Sequence, residues 1–316
     1  MFSSLAAKLA FPFIAVVLPL AGGAFLGPRV KMRDQLGKRL VFFALVFCYP
    51  VVTFLAGWRV TITWELVWLP VAGMAISLAG LAIGWAMSKL HAWPQGAPAR
   101  GAYILATGLN NMGSTGGALL CFALLGEEGF AQATVLVFHW QFLIYLVCFP
   151  LARHWSAAHQ RLSIKGEIAE AFRDPRLLPL VGLALGLALN MAGVERPRML
   201  GGMSAIGVAI AASTAAFGVG LSIRAEKFGD YKHLYSSQFV AKFALLPALC
   251  VGISHVIAMS PMARNIILIQ ASCPQAFYAV FLAHFFDLDH HQANSMFIVN
   301  SILYVVLILP VLVAFI

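Results

Sequence analysis

Thr107-Gly-Leu-Asn-Asn-Met-Gly-Ser-Thr-Gly-Gly117 interrupts one long apolar run, and Ile269-Gln-Ala-Ser-Cys-Pro-Gln275 interrupts another. A helix that breaks inside lipid strands backbone N–H and C=O groups. Such a break persists only where protein or a water-filled cavity satisfies those groups. Glycines supply the first interruption. Pro274 supplies the second, because proline has no N–H to donate and collides with the turn before it. Paired interruptions at corresponding places in two halves of a chain point to the central site of a secondary transporter.

The rest of the chain fits that setting. Of its 316 residues, 61% are hydrophobic and only 10% are charged, whereas a soluble domain carries about a quarter charged residues. Ten apolar stretches can each hold the about 20 residues needed to cross roughly 30 Å of hydrocarbon. They are 5–27, 38–57, 66–88, 100–124, 131–152, 177–193, 203–223, 235–258, 264–285 and 293–315. The first is too long for a signal peptide and lacks a strongly basic start and a convincing cleavage site, so it is read as a span. The expected fold is an all-α integral membrane protein of about ten transmembrane helices.

The excess of basic residues, +9 net, lies in short loops and is not a nucleic-acid signature. Fifteen Lys and Arg fall on one side, in the odd-numbered loops: Arg29, Lys31, Arg33, Lys38 and Arg39; Lys89 and Arg100; Arg153, Arg161, Lys165, Arg173 and Arg176; Arg224, Lys227 and Lys232. Five fall on the other: Lys8, Arg59, Arg196, Arg198 and Arg264. The bias puts the odd loops in the cytoplasm and both termini outside. The membrane is taken to be a bacterial inner membrane. Cys48, Cys121, Cys148, Cys250 and Cys273 all fall inside apolar spans without a CxxC pair and read as small buried hydrophobes.

Five spans in each half force the second half to enter from the opposite side, which makes an inverted repeat. Two anchors set its offset at 160 residues: Gln132-Ala133 with Gln292-Ala293, and Pro150 with Pro310. At that offset Gly113-Ser114-Thr115 falls on Cys273-Pro274-Gln275, so the two breaks coincide. The expected organisation is a five-helix repeat over 1–152, a connecting loop at 153–176 and a second five-helix repeat over 177–316. Residues 164–172 of the loop read as a short amphipathic surface helix.

Leu268-Ile-Gln-Ala-Ser-Cys-Pro-Gln-Ala276, followed by Ala283 and Asp287-Leu-Asp289, resembles the auxin efflux carrier family, whose ninth helix carries a Pro-x-Ala break. Lys242-Phe-Ala-Leu-Leu-Pro247 is similar to its basic-residue-then-proline pattern in helix eight, and Asn110-Asn111 to its broken fourth helix. Where that family often has a proline in helix four, Gly113, Gly116 and Gly117 stand here. The resemblance implies a prokaryotic member of the superfamily shared with bile, arsenite and riboflavin transporters. It also implies two broken crossover helices, spans 4 and 9, carried with spans 3, 5, 8 and 10 against a scaffold of spans 1, 2, 6 and 7.

Ten residues are candidates for substrate binding. Asn110, Asn111, Ser114 and Thr115 cluster at the first break, where mid-membrane amides are costly unless partnered; interhelical hydrogen-bond glue is the other reading. Gln270, Pro274 and Gln275 mark the second, where a simple kink is the alternative. Lys242 is the only Lys or Arg inside a span; it either snorkels or pairs with an anion. His139 and Gln141 lie well inside span five, and His139 is either a relay or a structural histidine. His284, His290, His291, Asp287 and Asp289 fit no standard metal spacing, so no metal is expected, and no cofactor. All twelve carboxylates fall in loops or at span ends, which favours a neutral-to-positive site. No HExxH, GxSxG or Walker loop is present, so the chain is not expected to be an enzyme. The expected activity is secondary transport of a small organic anion, with the lipid bilayer as its surroundings, no nucleic-acid partner and a homodimer compatible with the pattern. The alternatives are a sodium-coupled symporter of the bile-acid type and a membrane ligand sensor that moves nothing.

Overall fold

Proline placement explains much of the helical geometry. In the computed structural model, which describes residues 10–113, 116–156, 177–223, 228–257 and 259–316, five turns widen to π geometry. These are Phe13–Val17, Ala44–Cys48, Ile144–Cys148, Ala241–Leu245 and Tyr304–Ile308. Each is followed at its second residue by a proline: Pro19, Pro50, Pro150, Pro247 and Pro310. A proline ring clashes with the carbonyl four residues earlier, and that carbonyl lies inside each widened turn. The extra residue per turn carries it aside, so the helix continues through the proline.

The chain is an all-α, multi-pass membrane protein, with no strand among the described residues. Among the described residues, seven helices are long and apolar enough to cross a membrane. Six of them are α1 (Ala10–Arg29), α2 (Arg33–Gly57), α3 (Trp64–Ser88), α7 (Gly201–Ser222), α8 (Gly229–Val256) and α11 (His290–Phe315). The seventh, α5 (Gly117–Trp155), bends at Gly126, whose positive φ of 74° suits glycine. The shorter helices are α4 (Ala97–Gly108), α6 (Leu178–Met191), α9 (Pro261–Ala271) and α10 (Phe277–Phe285). Two of the ten expected spans are therefore interrupted: 100–124 is divided between α4 and the start of α5, which runs on through the expected fifth span at 131–152, and 264–285 is divided between α9 and α10; a third, 177–193, is a helix of 14 residues. The expected amphipathic helix at 164–172 lies outside the described residues.

Packing sorts these helices into two groups. In the first, α1 and α2 lie against α7 and α6. Apolar side chains cannot drive this association within lipid, so close backbone approach does. A methyl group added at Gly182 or Gly186 of α6 would strike the carbonyls of Pro50 and Phe54 on α2; one at Gly220 of α7 would strike that of Leu20 on α1. Thr53 Oγ1 donates to the Pro179 carbonyl at 2.6 Å, and Asn190 Nδ2 to that of Val60 at 2.6 Å. The second group gathers α3, α4, α5, α8, α9, α10 and α11 around the two breaks. At one end the groups are pinned together: Arg196 forms a salt bridge with Glu127, which also accepts from Ser204 Oγ at 2.7 Å, and the neighbouring Glu128 accepts from the Thr61 N–H at 3.1 Å.

Candidate functional site

The two breaks meet. After α4 ends at Gly108, the chain runs extended through Leu109 and Asn110; after α9 ends at Ala271, Ser272 to Ala276 cross it in the antiparallel sense. The Asn111 N–H donates to the Pro274 carbonyl at 2.8 Å, and the Ala276 N–H to the Leu109 carbonyl at 2.8 Å, framing a bridge between Asn110 and Gln275. Each break thus supplies partners that the other lacks, which is the condition for irregular backbone at membrane depth.

Four half-helix ends converge here. The C-terminal ends of α4 and α9 expose carbonyls that no further turn can satisfy. Lys242 and Asn110 satisfy them. Lys242 Nζ, fully buried, donates to the carbonyls of Thr107 and Leu109 at 3.0 and 3.1 Å and to Asn110 Oδ1 at 2.5 Å. The Asn110 amide passes on the polarity: its Nδ2 donates to the carbonyls of Gln270 and Ala271 at 3.2 and 2.7 Å. Lys242 therefore does not snorkel. It sits in a π turn of α8, pointing inward, and its charge faces two negative helix ends.

Gln275 is equally committed. Its N–H donates to Asn300 Oδ1 at 2.7 Å and its Nε2 to the Ala293 carbonyl at 2.9 Å, while its Oε1 accepts from Gln238 Nε2 at 2.8 Å. Pro274 is buried in the bridge. Asn111 is half-buried, and its carbonyl accepts from the Gly117 N–H at 2.8 Å as α5 begins. Ser114 and Thr115 lie outside the described residues.

Gln270 differs from all of these. It is fully buried, yet among the described residues neither its Oε1 nor its Nε2 has a hydrogen-bond partner. The amide lies against Gly117, at the N-terminal end of α5, where a Cβ would collide with it. Buried polar groups normally pair, so this amide beside a helix N-terminus is suited to bond a polar group.

His139 and Gln141 are not brought to the crossing. His139 Nδ1 lies 2.7 Å from the Leu136 carbonyl and must donate to it; Nε2 then accepts from Ser77 Oγ at 3.0 Å. Both ring nitrogens are satisfied by a neutral imidazole that ties α5 to α3. Gln141 is half-buried two residues further along the same helix. Gln238 and Asn300 belong to the crossing and were not among the sequence candidates. The signal that flagged Asn110, an amide within an apolar span, also applies to them.

No group of three or more potential metal ligands occurs among the described residues. Asp289 is used as the cap of α11, accepting from the Gln292 N–H at 2.9 Å and from Tyr231 at 3.1 Å. An apolar cavity of about 580 Å³ lies elsewhere, between α3, α8 and α9, lined by Trp68, Ile76, Ile253 and Ile267 among others and by none of the crossing residues. No known family model matches the chain, and no curated protein matches it.

Proposed function

We propose that the protein is a secondary transporter of a small organic anion, a carboxylate by charge and size, working by alternating access as a prokaryotic member of the auxin efflux carrier family. The observation that carries this reading is the convergence of four half-helix ends around an unpaired buried amide. The two negative ends are neutralised by Lys242 and Asn110. The two positive ends, the N-termini of α5 and α10, each carry roughly half a unit of positive charge and suit an anion. Asn111 and the Gln270 amide would supply its hydrogen bonds.

The reading includes ten spans in a five-plus-five inverted repeat, and several spacings support it. The π turns Ile144–Cys148 and Tyr304–Ile308 are 160 residues apart. So are the helical segments that start at Leu18 and Leu178, each with proline second. Asn110 donates to the carbonyl of Gln270, its counterpart at the same offset. The packing of α1 on α7 and of α2 on α6 is the exchange that a two-fold axis in the membrane plane produces. In this scheme α1, α2, α6 and α7 are the scaffold, the remaining helices rock against it, and Arg196–Glu127 closes the outer side, with both termini outside a bacterial inner membrane.

The test is flux in proteoliposomes over a panel of organic acids, with sodium, pH and voltage set independently. An anion should follow an inside-positive potential, worth about 2.3 kcal/mol per charge per 100 mV. Asn111→Ala should cut flux at least severalfold while the melting temperature stays near that of the wild type. Undiminished flux at limiting and saturating substrate rejects the assignment. Absolute sodium dependence favours a bile-acid-type symporter, and saturable ligand binding without flux favours a sensor.

A further inference from the structure

We infer that the Lys242 ammonium is a tethered cation: it fills an oxygen cage at the crossing that, without it, would take a free monovalent cation. The cage consists of two carbonyl oxygens, from Thr107 and Leu109, and the Asn110 side-chain oxygen, at 2.5–3.1 Å from Nζ. Three acceptors match the three protons of an ammonium; a neutral amine has only two to give. No carboxylate among the described residues forms a salt bridge with Lys242. The counter-charge is instead the pair of half-helix C-termini, of α4 directly and of α9 through the Asn110 amide, at roughly half a negative charge each. Carbonyl and amide oxygens around a single positive centre, with full burial, make the arrangement expected of a cation site. Here the cation arrives on a side chain. The crossing is then assembled without any dissolved metal ion, and its geometry is independent of the sodium concentration.

The experiment separates this from the transport reading, because its main readout is the melting temperature of purified protein rather than flux. Wild-type protein, Lys242→Ala and Lys242→Met are compared at equal ionic strength in choline, sodium, potassium and methylammonium chlorides. Wild type should melt at one temperature in all four. Lys242→Ala should melt lower in choline, whose cation is too large for the vacated space, and regain roughly 2–4 °C in at least one of the small cations. Lys242→Met, which fills the space without a charge, should melt lower than wild type and recover in none. Equal losses for Lys242→Ala in all four salts, including failure to fold in any of them, overturn the proposal. So does a wild-type protein that sodium or potassium stabilises and Lys242→Ala abolishes, because the cage would then already hold a free ion beside the lysine.

Discussion

The crossing and the α1–α2–α6–α7 group are both tightly packed, but by different means. In the four-helix group the contacts are backbone to backbone: Gly186 faces the Phe54 carbonyl and Gly220 the Leu20 carbonyl. At the crossing the contacts are polar side chains against interrupted backbone; Gly116 still faces the Asn111 carbonyl, but Gly117 faces the ends of flexible side chains, Gln270 Oε1 and Cys273 Sγ. Backbone cannot move without moving a helix, whereas a glutamine amide can rotate. An added methyl group is therefore harder to accommodate at Gly186 or Gly220 than at Gly117.

Two alanines test that contrast. Gly186→Ala forces α6 off α2 and should cost about 3 kcal/mol or more, read as a large drop in melting temperature or loss of folded protein. Gly117→Ala displaces the Gln270 amide and should cost under about 1 kcal/mol, while lowering flux more than its stability loss explains. Equal costs at both positions would erase the distinction.

A smaller effect is expected within the crossing itself. Asn110→Ala removes one acceptor from Lys242 and both side-chain donors' contacts to the Gln270 and Ala271 carbonyls. Leaving buried polar groups unpaired should cost about 1–3 kcal/mol. Asn111→Ala, one residue on, keeps the backbone hydrogen bonds that Asn111 lends to Pro274 and Gly117 and should cost less stability than Asn110→Ala. On the proposed transport reading, the two asparagines divide into a structural and a ligand-facing member. A stability loss at Asn111 that matches the one at Asn110 would remove that division.

Backbone-specific residues made the crossing legible in the sequence. Pro274 and the glycines around position 113 disfavour a regular helix in an apolar run, and the constant offset of 160 puts the two irregularities at corresponding places. The roles of side chains were less legible, because they depend on facing. Lys242 sits where a snorkelling stem and an inward-pointing ammonium have the same sequence position. The π turn at Ala241–Leu245, which takes up Pro247, belongs to the helix surface on which Lys242 lies. His139 carried the same ambiguity, resolved by Ser77, sixty-two residues away. Gln238 and Asn300 were missed because neither stands beside a glycine or proline, although both bond directly to Gln275. The interruption of spans 100–124 and 264–285 follows from the breaks themselves, so the hydropathy profile that joined the pieces was reading composition across a gap in the backbone.

The smallest expected effect lies at the polar end of the second group, where packing meets water. His91, in the turn between α3 and α4, has Nε2 2.8 Å from Ser237 Oγ on α8, and its ring lies 6.1 Å from that of His233. Partial burial, and then the neighbouring His233 charge, hold its pKa below the ordinary 6.5. A histidine with a lowered folded-state pKa binds its proton more readily when the chain is unfolded. Its neutral form therefore favours the folded state fully above about pH 6.5, and that advantage declines as pH falls from 6.5 through the lower folded value. Wild-type protein should lose melting temperature between pH 7.5 and 5.5, and His91→Gln should flatten part of that slope without changing the value at pH 7.5 much. A pH dependence that persists unchanged in His91→Gln would assign the slope to another titrating group.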